Sequence, residues 1–354
     1  MANKVTEIIP QMWQIDSGEN GPTVTILGGV HGSEKAGVQV VQNLLQSDLA
    51  ALVQKGKLNF GIGNPVAVEQ GVRFLQGDFD LNRSFGPLPL DLEKTIAAMR
   101  AQLLKPIIAD SDVLLDLHAT IKPSEPMLLS PNKLQDPLMQ KLVPVLGIKK
   151  VITGKGMYAE DGTGVTTDCY AHSNGRVGIT LETGWQEDMT LVPRVQQSVL
   201  RALSAIGLSP SSGEVIEPLE IEAYDAYWSV TASPSFAFTQ EWENFAKLPC
   251  GTHFATRDGV KLKTPCDSFM IFQKPKERIV PGIEACLLLR NPQVAKGMRF
   301  WETVQENPTY PRVPEWIRMM EEALKEAGGI GTIGVTNGMI QDAYGKCSGN
   351  EALP

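Results

Sequence analysis

The stretch that decides the fold lies near the N-terminus and reads Thr23-Val24-Thr25-Ile26-Leu27-Gly28-Gly29-Val30-His31-Gly32-Ser33-Glu34. Its first five residues form an apolar, β-branched run closed by two glycines, which predicts a short buried strand. A histidine and a glutamate three residues apart follow this strand. Strand-like and helix-like segments then alternate up to about Ile206. This alternation predicts an α/β fold with a mostly parallel sheet covered by helices on both faces.

The remaining segments of this alternating part can be placed from their apolar patterns. Further strands are expected at 58–63, 111–117 and 176–181, and helices at 92–104, 137–146 and 191–206. After Ile206 the sequence becomes rich in Gly, Ser and Pro and then β-like up to about residue 295, with an amphipathic helix expected over 314–327. We therefore expect an α/β domain over residues 1–210 and a smaller β-rich domain over 211–354 that ends in a helical tail.

Composition limits the possible partners and compartment. The 354 residues include 32 Lys and Arg against 40 Asp and Glu, a net charge of −8, which argues against a nucleic-acid partner. No apolar run approaches the roughly 20 residues of a membrane span. The 5 cysteines are widely spaced, and the N-terminal residues lack the apolar core of a signal peptide, which predicts a cytoplasmic protein. A homo-oligomer is compatible with the sequence, which leaves the oligomeric state open.

Polar residues follow or end three of the predicted strands. His31 and Glu34 follow the strand through Leu27, and His118 and Glu182 end two later strands. Ligands of open α/β sheets bind beyond the carboxyl ends of the strands, so these side chains are expected to converge. Two histidines and a glutamate are a ligand set of catalytic zinc sites that leave one position for water. We therefore predict that His31, Glu34 and His118 bind one zinc ion per chain, although a lone His-x-x-Glu is a weak signal.

Two further carboxylates are candidates for supporting roles. Asp116 lies two residues before His118, so both side chains share one face of a strand and Asp116 could orient the histidine. A helix cap or a surface carboxylate is the alternative. Glu182 ends an apolar strand, where partial desolvation would raise its pKa toward the range of a general base. A structural, salt-bridged Glu is the alternative.

The loop region between residues 63 and 85 is dense in groups that bind anions. It contains Arg73 and the sequence Asp80-Leu81-Asn82-Arg83-Ser84-Phe85. Arginine binds carboxylates through two parallel hydrogen bonds, and a neighbouring Asn adds a neutral donor. On composition alone this is equally a polar loop with a solvated Arg.

Five blocks together resemble the succinylglutamate desuccinylase/aspartoacylase family, and they occur in the family's order. The blocks are Gly28-Gly29-Val30-His31-Gly32-Ser33-Glu34, Gly63-Asn64-Pro65, Asp80-Leu81-Asn82-Arg83-Ser84-Phe85, Asp116-Leu117-His118 and Glu182-Thr183-Gly184. The resemblance implies a zinc carboxypeptidase-like fold, with a mixed, mostly parallel sheet flanked by helices. It covers residues 22–200 with motifs and the β-rich part more loosely.

The resemblance also implies roles for single residues. His31, Glu34 and His118 resemble the zinc ligands, and Glu182 resembles the general base that activates water. Arg73 resembles the group that polarises the scissile carbonyl, while Asn82 and Arg83 resemble the clamp on the substrate's α-carboxylate. Aspartoacylase carries an Arg ten residues before the catalytic Glu, where this chain has His172. This departure argues against a strict N-acetylaspartate substrate, and His172 either lines the substrate pocket or is an exposed loop histidine.

The expected activity is therefore zinc-dependent hydrolysis of the amide bond in a small anionic N-acyl amino acid, giving a carboxylate and a free amino acid. One alternative is a zinc carboxypeptidase that uses the same residues on peptides. Another is a catalytically silent binding protein on the same fold. The sequence identifies neither the acyl group nor the amino acid.

Overall fold

The computed structural model describes residues 4–154, 165–210 and 219–290. These residues form two compact units, the first containing 4–152, 165–210 and 219–221, and the second containing 153–154 and 222–290. The helix expected over 314–327 lies outside the described residues, as does the end of the Gly/Ser/Pro-rich segment after Ile206. No helix of the described part is long and apolar enough to cross a membrane.

The first unit is built on a mixed sheet. Its strands are β1 (Val5–Ile9), β2 (Met12–Asp16), β3 (Thr23–Gly28), β4 (Lys57–Ile62), β5 (Val113–Thr120), β6 (Met127–Leu129), β7 (Lys150–Thr153) and β8 (Val177–Trp185), in the order β1-β2-β4-β3-β5-β8-β6-β7. The central neighbours β4, β3, β5 and β8 all run parallel, while β2 pairs antiparallel with β4 and β6 pairs antiparallel with β8. This topology confirms the predicted α/β class with a mixed, mostly parallel sheet.

Helices connect and cover these strands. They are α1 (Lys35–Gln46), α2 (Leu49–Leu52), α3 (Pro65–Gln70), α4 (Ile96–Asp110), α5 (Pro137–Leu146), α6 (Thr167–Ser173) and α7 (Val192–Ala205). In one group α7 packs on both α1 and α5, and in a second α4 packs on α6. Strand β5 is buried along its whole length, as expected for a central strand covered by helices.

Several element boundaries differ from those expected. Helix α4 begins at Ile96 rather than at residue 92, because the Thr95 hydroxyl accepts a hydrogen bond from the Ala98 N–H and caps the helix there. Strands β5 and β8 extend beyond their apolar runs, so His118 and Glu182 lie inside the strands rather than at their ends. The pairing of β5 with β8 continues through these polar residues and keeps both segments extended.

The second unit consists of antiparallel strands and confirms the expected β-rich C-terminal part. Strands β9 (Glu222–Thr231), β15 (Glu284–Arg290), β14 (Ser268–Ile271) and β11 (Ala246–Leu248) form one sheet in that order. Strands β10 (Ala237–Phe238), β12 (His253–Arg257) and β13 (Val260–Lys263) form a three-stranded sheet. Asp258 and Gly259 both have positive φ, 52° and 81°, as a tight hairpin between β12 and β13 requires. A cluster around Phe254 and Leu288 forms the core of this unit.

Candidate metal centre and active site

The loop after β3 holds His31 and Glu34 in a fixed position. Gly29 adopts a positive φ of 66°, which favours glycine at this turn. Gly32 packs so closely on α3 that a Cβ atom there would lie 2.1 Å from the Ala67 carbonyl carbon. Glycine is therefore required at both positions to bring the chain between β3 and α1 into this conformation.

A second loop supports the first through its backbone. The N–H groups of Gly63 and Asn64 donate to the carbonyls of Gly28 and Gly29, at 2.8 and 2.9 Å. The Asn64 side chain accepts a hydrogen bond from Ala67 N and caps α3. The Gly-Asn-Pro block thus serves the site by holding the His31 loop against the end of β4.

The two central strands bring His118 and Glu182 together. His118 of β5 is directly opposite Glu182 of β8 in the parallel pairing. Both residues are buried, with 2% and 9% of their surface exposed. Residues 64 positions apart in sequence are therefore neighbours because the strands are in register.

His31, Glu34 and His118 form one buried cluster. The Nδ1 atom of His31 lies 2.8 Å from one carboxylate oxygen of Glu34, and the Nδ1 atom of His118 lies 3.0 Å from the other. The two Nδ1 atoms are 3.1 Å apart. One ligand atom from each of the three residues lies within 4.8 Å of the others. The structure thus brings together the three residues expected to bind metal.

A carboxylate contacts the outer nitrogen of each histidine. Asp80 accepts from His31 Nε2 and Asp116 accepts from His118 Nε2, each at 3.0 Å. When Nε2 carries the hydrogen of a neutral imidazole, the Nδ1 lone pair is directed into the cluster. Two such lone pairs and the Glu34 carboxylate repel one another unless a cation or a proton lies between them. This donor set fits a divalent metal ion such as zinc.

The pKa shifts of Glu34 and His118 also indicate a site that requires a positive charge. Burial acts to raise the pKa of the Glu34 carboxyl, but the imidazoles of His31 and His118 outweigh it and hold that pKa well below its usual range. Burial acts to lower the pKa of His118, but the carboxylates of Asp116 and Glu34 hold it well above the ordinary value. Without metal, a proton on His118 therefore compensates the buried negative charge.

Glu182 lies beside the cluster with few partners. Its Oε2 atom is buried and has no hydrogen-bond partner within the described part of the chain. Burial, with the nearby Glu34 carboxylate second, raises the pKa of Glu182 to about 7. A carboxylate with this pKa can both accept and return a proton near neutral pH.

The arginines and Asn82 border the cluster. Arg73 donates to Glu34 at 3.3 Å and to Asp80 at 3.5 Å, and 34% of its side chain is exposed. Asn82 Oδ1 accepts a hydrogen bond from the backbone N–H of Thr167. The Nδ2 group of Asn82 has no hydrogen-bond partner among the described residues. Arg83 donates to the Asn82 carbonyl at 2.9 Å. Arg73 thus contacts Glu34, a candidate metal ligand, while Asn82 and Arg83 lie side by side with further donors available.

The structure also places residues to which sequence reasoning gave another role or none. His172 is partly exposed and lies in the last turn of α6. A basic side chain is favourable at this position because the carboxyl end of a helix carries a partial negative charge. Its place in a substrate pocket stays a prediction. Asp80 was part of a recognised block without a role, and the structure makes it the partner of both His31 and Arg73.

Comparisons with known proteins agree with this geometry. Residues 20–206 match the model of the succinylglutamate desuccinylase/aspartoacylase catalytic domain. A succinylglutamate desuccinylase from Shewanella sp. (strain MR-4) is 25% identical over 309 residues, covering 79% of this chain and 85% of that protein.

Solved structures show the same fold. The succinylglutamate desuccinylase from Chromobacterium violaceum has a TM-score of 0.62 at 21% identity, covering 82% of this chain and 92% of that one. The protein from Vibrio parahaemolyticus has a TM-score of 0.65 at 17% identity, covering 82% and 89%. Since the family model spans more than half of the sequence, this chain belongs to the succinylglutamate desuccinylase/aspartoacylase family.

Proposed function

We propose that this protein is a zinc-dependent amidohydrolase that cleaves a small anionic N-acyl amino acid into a carboxylate and a free amino acid. The observation that carries the proposal is the convergence of His31 Nδ1, His118 Nδ1 and the Glu34 carboxylate in one buried cluster, beside a glutamate with a pKa of about 7. The relatives named above carry the name of a desuccinylase, which supports an acyl amino acid as the substrate class.

The three cluster residues would hold the metal. When bound, zinc supplies Lewis acidity that polarises the acyl carbonyl and makes water a stronger acid. The Nε2 hydrogen bonds to Asp80 and Asp116 keep the Nδ1 atoms of both histidines available for this purpose.

Glu182 moves the proton in this proposal. Its carboxylate accepts a proton from water as the water oxygen attacks the acyl carbon. It then donates that proton to the amine nitrogen as the carbon–nitrogen bond breaks. Burial, which raises the pKa of Glu182 in the metal-free protein, strengthens the carboxylate as a base and keeps the proton available for the leaving amine.

The cationic and amide groups bind and orient the substrate. Arg73 is near the cluster and partly exposed, so its guanidinium can stabilise negative charge that develops on the carbonyl oxygen. Arg83 and the Asn82 Nδ2 group would hold the substrate's α-carboxylate and thereby fix the reacting geometry. His172 is proposed as a further group lining the substrate pocket.

The test compares hydrolysis of N-succinyl and N-acetyl amino acids with hydrolysis of a dipeptide, using protein loaded with one equivalent of zinc. We expect faster cleavage of an N-acyl amino acid, loss of activity on chelation and recovery when zinc is restored. Glu182→Gln should retain zinc and lose turnover by about 100-fold or more. The exposed Glu187, just beyond the same strand, provides the matched control Glu187→Gln, which should keep full activity.

Three results would overturn the proposal. Faster cleavage of the dipeptide would make the protein a carboxypeptidase instead. Purified protein that binds no stoichiometric zinc would remove the basis of the mechanism, and zinc binding without hydrolysis of any of these substrates would indicate a binding protein.

A further inference from the structure

Thr167, the first residue of α6, contacts two parts of the site at once. Its hydroxyl donates to Asp116 Oδ2 at 2.5 Å, and its backbone N–H donates to Asn82 Oδ1 at 3.0 Å. The residue is fully buried. One residue therefore links the partner of a candidate metal ligand to a candidate substrate-binding residue.

The Asp116 carboxylate depends on this contact. Asp116 is fully buried, and its Oδ2 atom accepts both from Thr167 and from His118 Nε2. Its Oδ1 atom has no hydrogen-bond partner within the described ranges. Apart from His118 itself, the Thr167 hydroxyl is thus the only described hydrogen-bond donor that fixes the orientation of this carboxylate.

We propose that Thr167 is a positioning residue for metal binding, acting through Asp116 on His118. With the hydroxyl in place, the carboxylate accepts the Nε2 hydrogen of His118, and the Nδ1 lone pair faces Glu34 and His31. Without it, a buried carboxylate with one remaining hydrogen bond can rotate, and the imidazole loses its fixed orientation and tautomer. The inference rests on the proposed function, since it assumes that the cluster binds zinc.

The two contacts of Thr167 can be separated experimentally. Thr167→Val removes the hydroxyl but keeps the backbone N–H that holds Asn82. We therefore expect weaker zinc binding but nearly unchanged KM for an N-acyl amino acid when zinc is saturating. A merely structural role for Thr167 would not produce this separation, because general loosening of α6 would also disturb Asn82.

The main measurement is zinc affinity of the full chain, determined by competition with a chromogenic chelator. Loss of a group that orients a metal ligand typically weakens affinity by 10- to 100-fold, and we expect about 10-fold for Thr167→Val. Thr167→Ser keeps the hydroxyl and should restore affinity to within about twofold of the wild type. Thr167→Ala lacks the hydroxyl as well and provides the same test if the valine variant does not fold.

A matched control is Thr25→Val in β3. Thr25 is also fully buried, and its hydroxyl hydrogen-bonds to Ser111 and Asn59, outside the cluster. This variant should unfold more easily than the wild type and bind zinc equally well. It separates the general cost of losing a buried hydroxyl from the specific effect on the metal ligand.

A double-mutant cycle tests the route of the effect. If Thr167 acts through Asp116, then Thr167→Val should have less than about a twofold effect on zinc affinity in an Asp116→Ala background. Equal effects in both backgrounds, or Thr167→Val binding zinc as tightly as the wild type, would overturn the inference. A wild type that binds no zinc would instead overturn the proposed function, so the two failures are distinguishable.

Discussion

Glu182→Gln should change the stability of the metal-free protein in a pH-dependent way. Burial raises the pKa of Glu182 from an ordinary 4.5 to about 7. The folded protein therefore binds this proton more tightly than the unfolded chain, and stability falls as pH rises through the window between these values. Each pKa unit corresponds to 1.36 kcal/mol, so the ionised carboxylate costs about 3 kcal/mol above pH 7.

The neutral amide of glutamine avoids this cost because it does not ionise. The free energy of unfolding of Glu182→Gln should exceed that of the wild type by about 3 kcal/mol at pH 8. At pH 5 the difference should be only about 1 kcal/mol, because Glu182 is already protonated in the folded wild type. Urea unfolding followed by circular dichroism in the presence of a chelator measures both values. The stabilising variant is also the one expected to lose hydrolysis, which is typical of an active-site group held in an unfavourable environment.

Glu187→Gln serves as the control, since the exposed Glu187 side chain should show no such difference between the two pH values. The reasoning would be refuted if Glu182→Gln were no more stabilising at pH 8 than at pH 5. Such a result would mean that Glu182 is ionised at little cost in the folded protein, and the argument for a base tuned to neutrality would fail with it.

Three further predictions concern the metal and the scaffold. Carboxylates hold the pKa of His118 well above its ordinary value, whereas zinc requires the neutral ring. Zinc affinity should therefore rise with pH below that pKa. Calorimetry in buffers of different ionisation enthalpy should detect the proton that is released on binding. Arg100 is buried and donates to the carbonyls of Ile62 and Gly63 at 2.7 and 2.8 Å, so Arg100→Leu should lower the free energy of unfolding by about 2–4 kcal/mol in urea titrations. Gly32→Ala should reduce zinc affinity in the chelator competition, because its Cβ would collide with backbone of α3 and displace the His31 loop.

The sequence predicted the central part of the fold and the cluster for a physical reason. Parallel strands expose their carboxyl ends at one edge, so polar residues beyond β3 and in β5 and β8 are brought together once the alternation of strands and helices is recognised. The short strands β6 and β7, with 3 and 4 residues, were missed because so few residues carry no usable period. The antiparallel pair β1 and β2 was missed as well.

The C-terminal ends of β5 and β8 were predicted too early because polar residues of the candidate site lie there. An apolar pattern stops where functional polar residues begin, so His118 and Glu182 were expected at strand ends. The strands continue because their backbone pairing is independent of side-chain polarity. Asp80 contacts His31 across 49 residues of sequence, and Thr167 contacts Asp116 across 51 residues. Such long-range contacts leave no periodic pattern in the sequence, so neither could be predicted.

The charges around the cluster would allow an acidic protein to bind the anionic substrate of the proposed function. The carboxylates of Glu34, Asp80 and Asp116 surround two imidazoles, and Arg73 contributes one fixed positive charge. With both histidines neutral, the three carboxylates and Arg73 have a net charge of about −2 before Glu182 is counted, and one divalent cation would offset it. Arg83 forms no ion pair with a carboxylate among the described residues, and its positive charge, which also acts on Asp80, lies beside Asn82 and would be available to a substrate carboxylate. The net charge of −8 is spread over a surface that salt screens beyond about 8–10 Å, so a bound carboxylate would respond mainly to Arg83 and the metal.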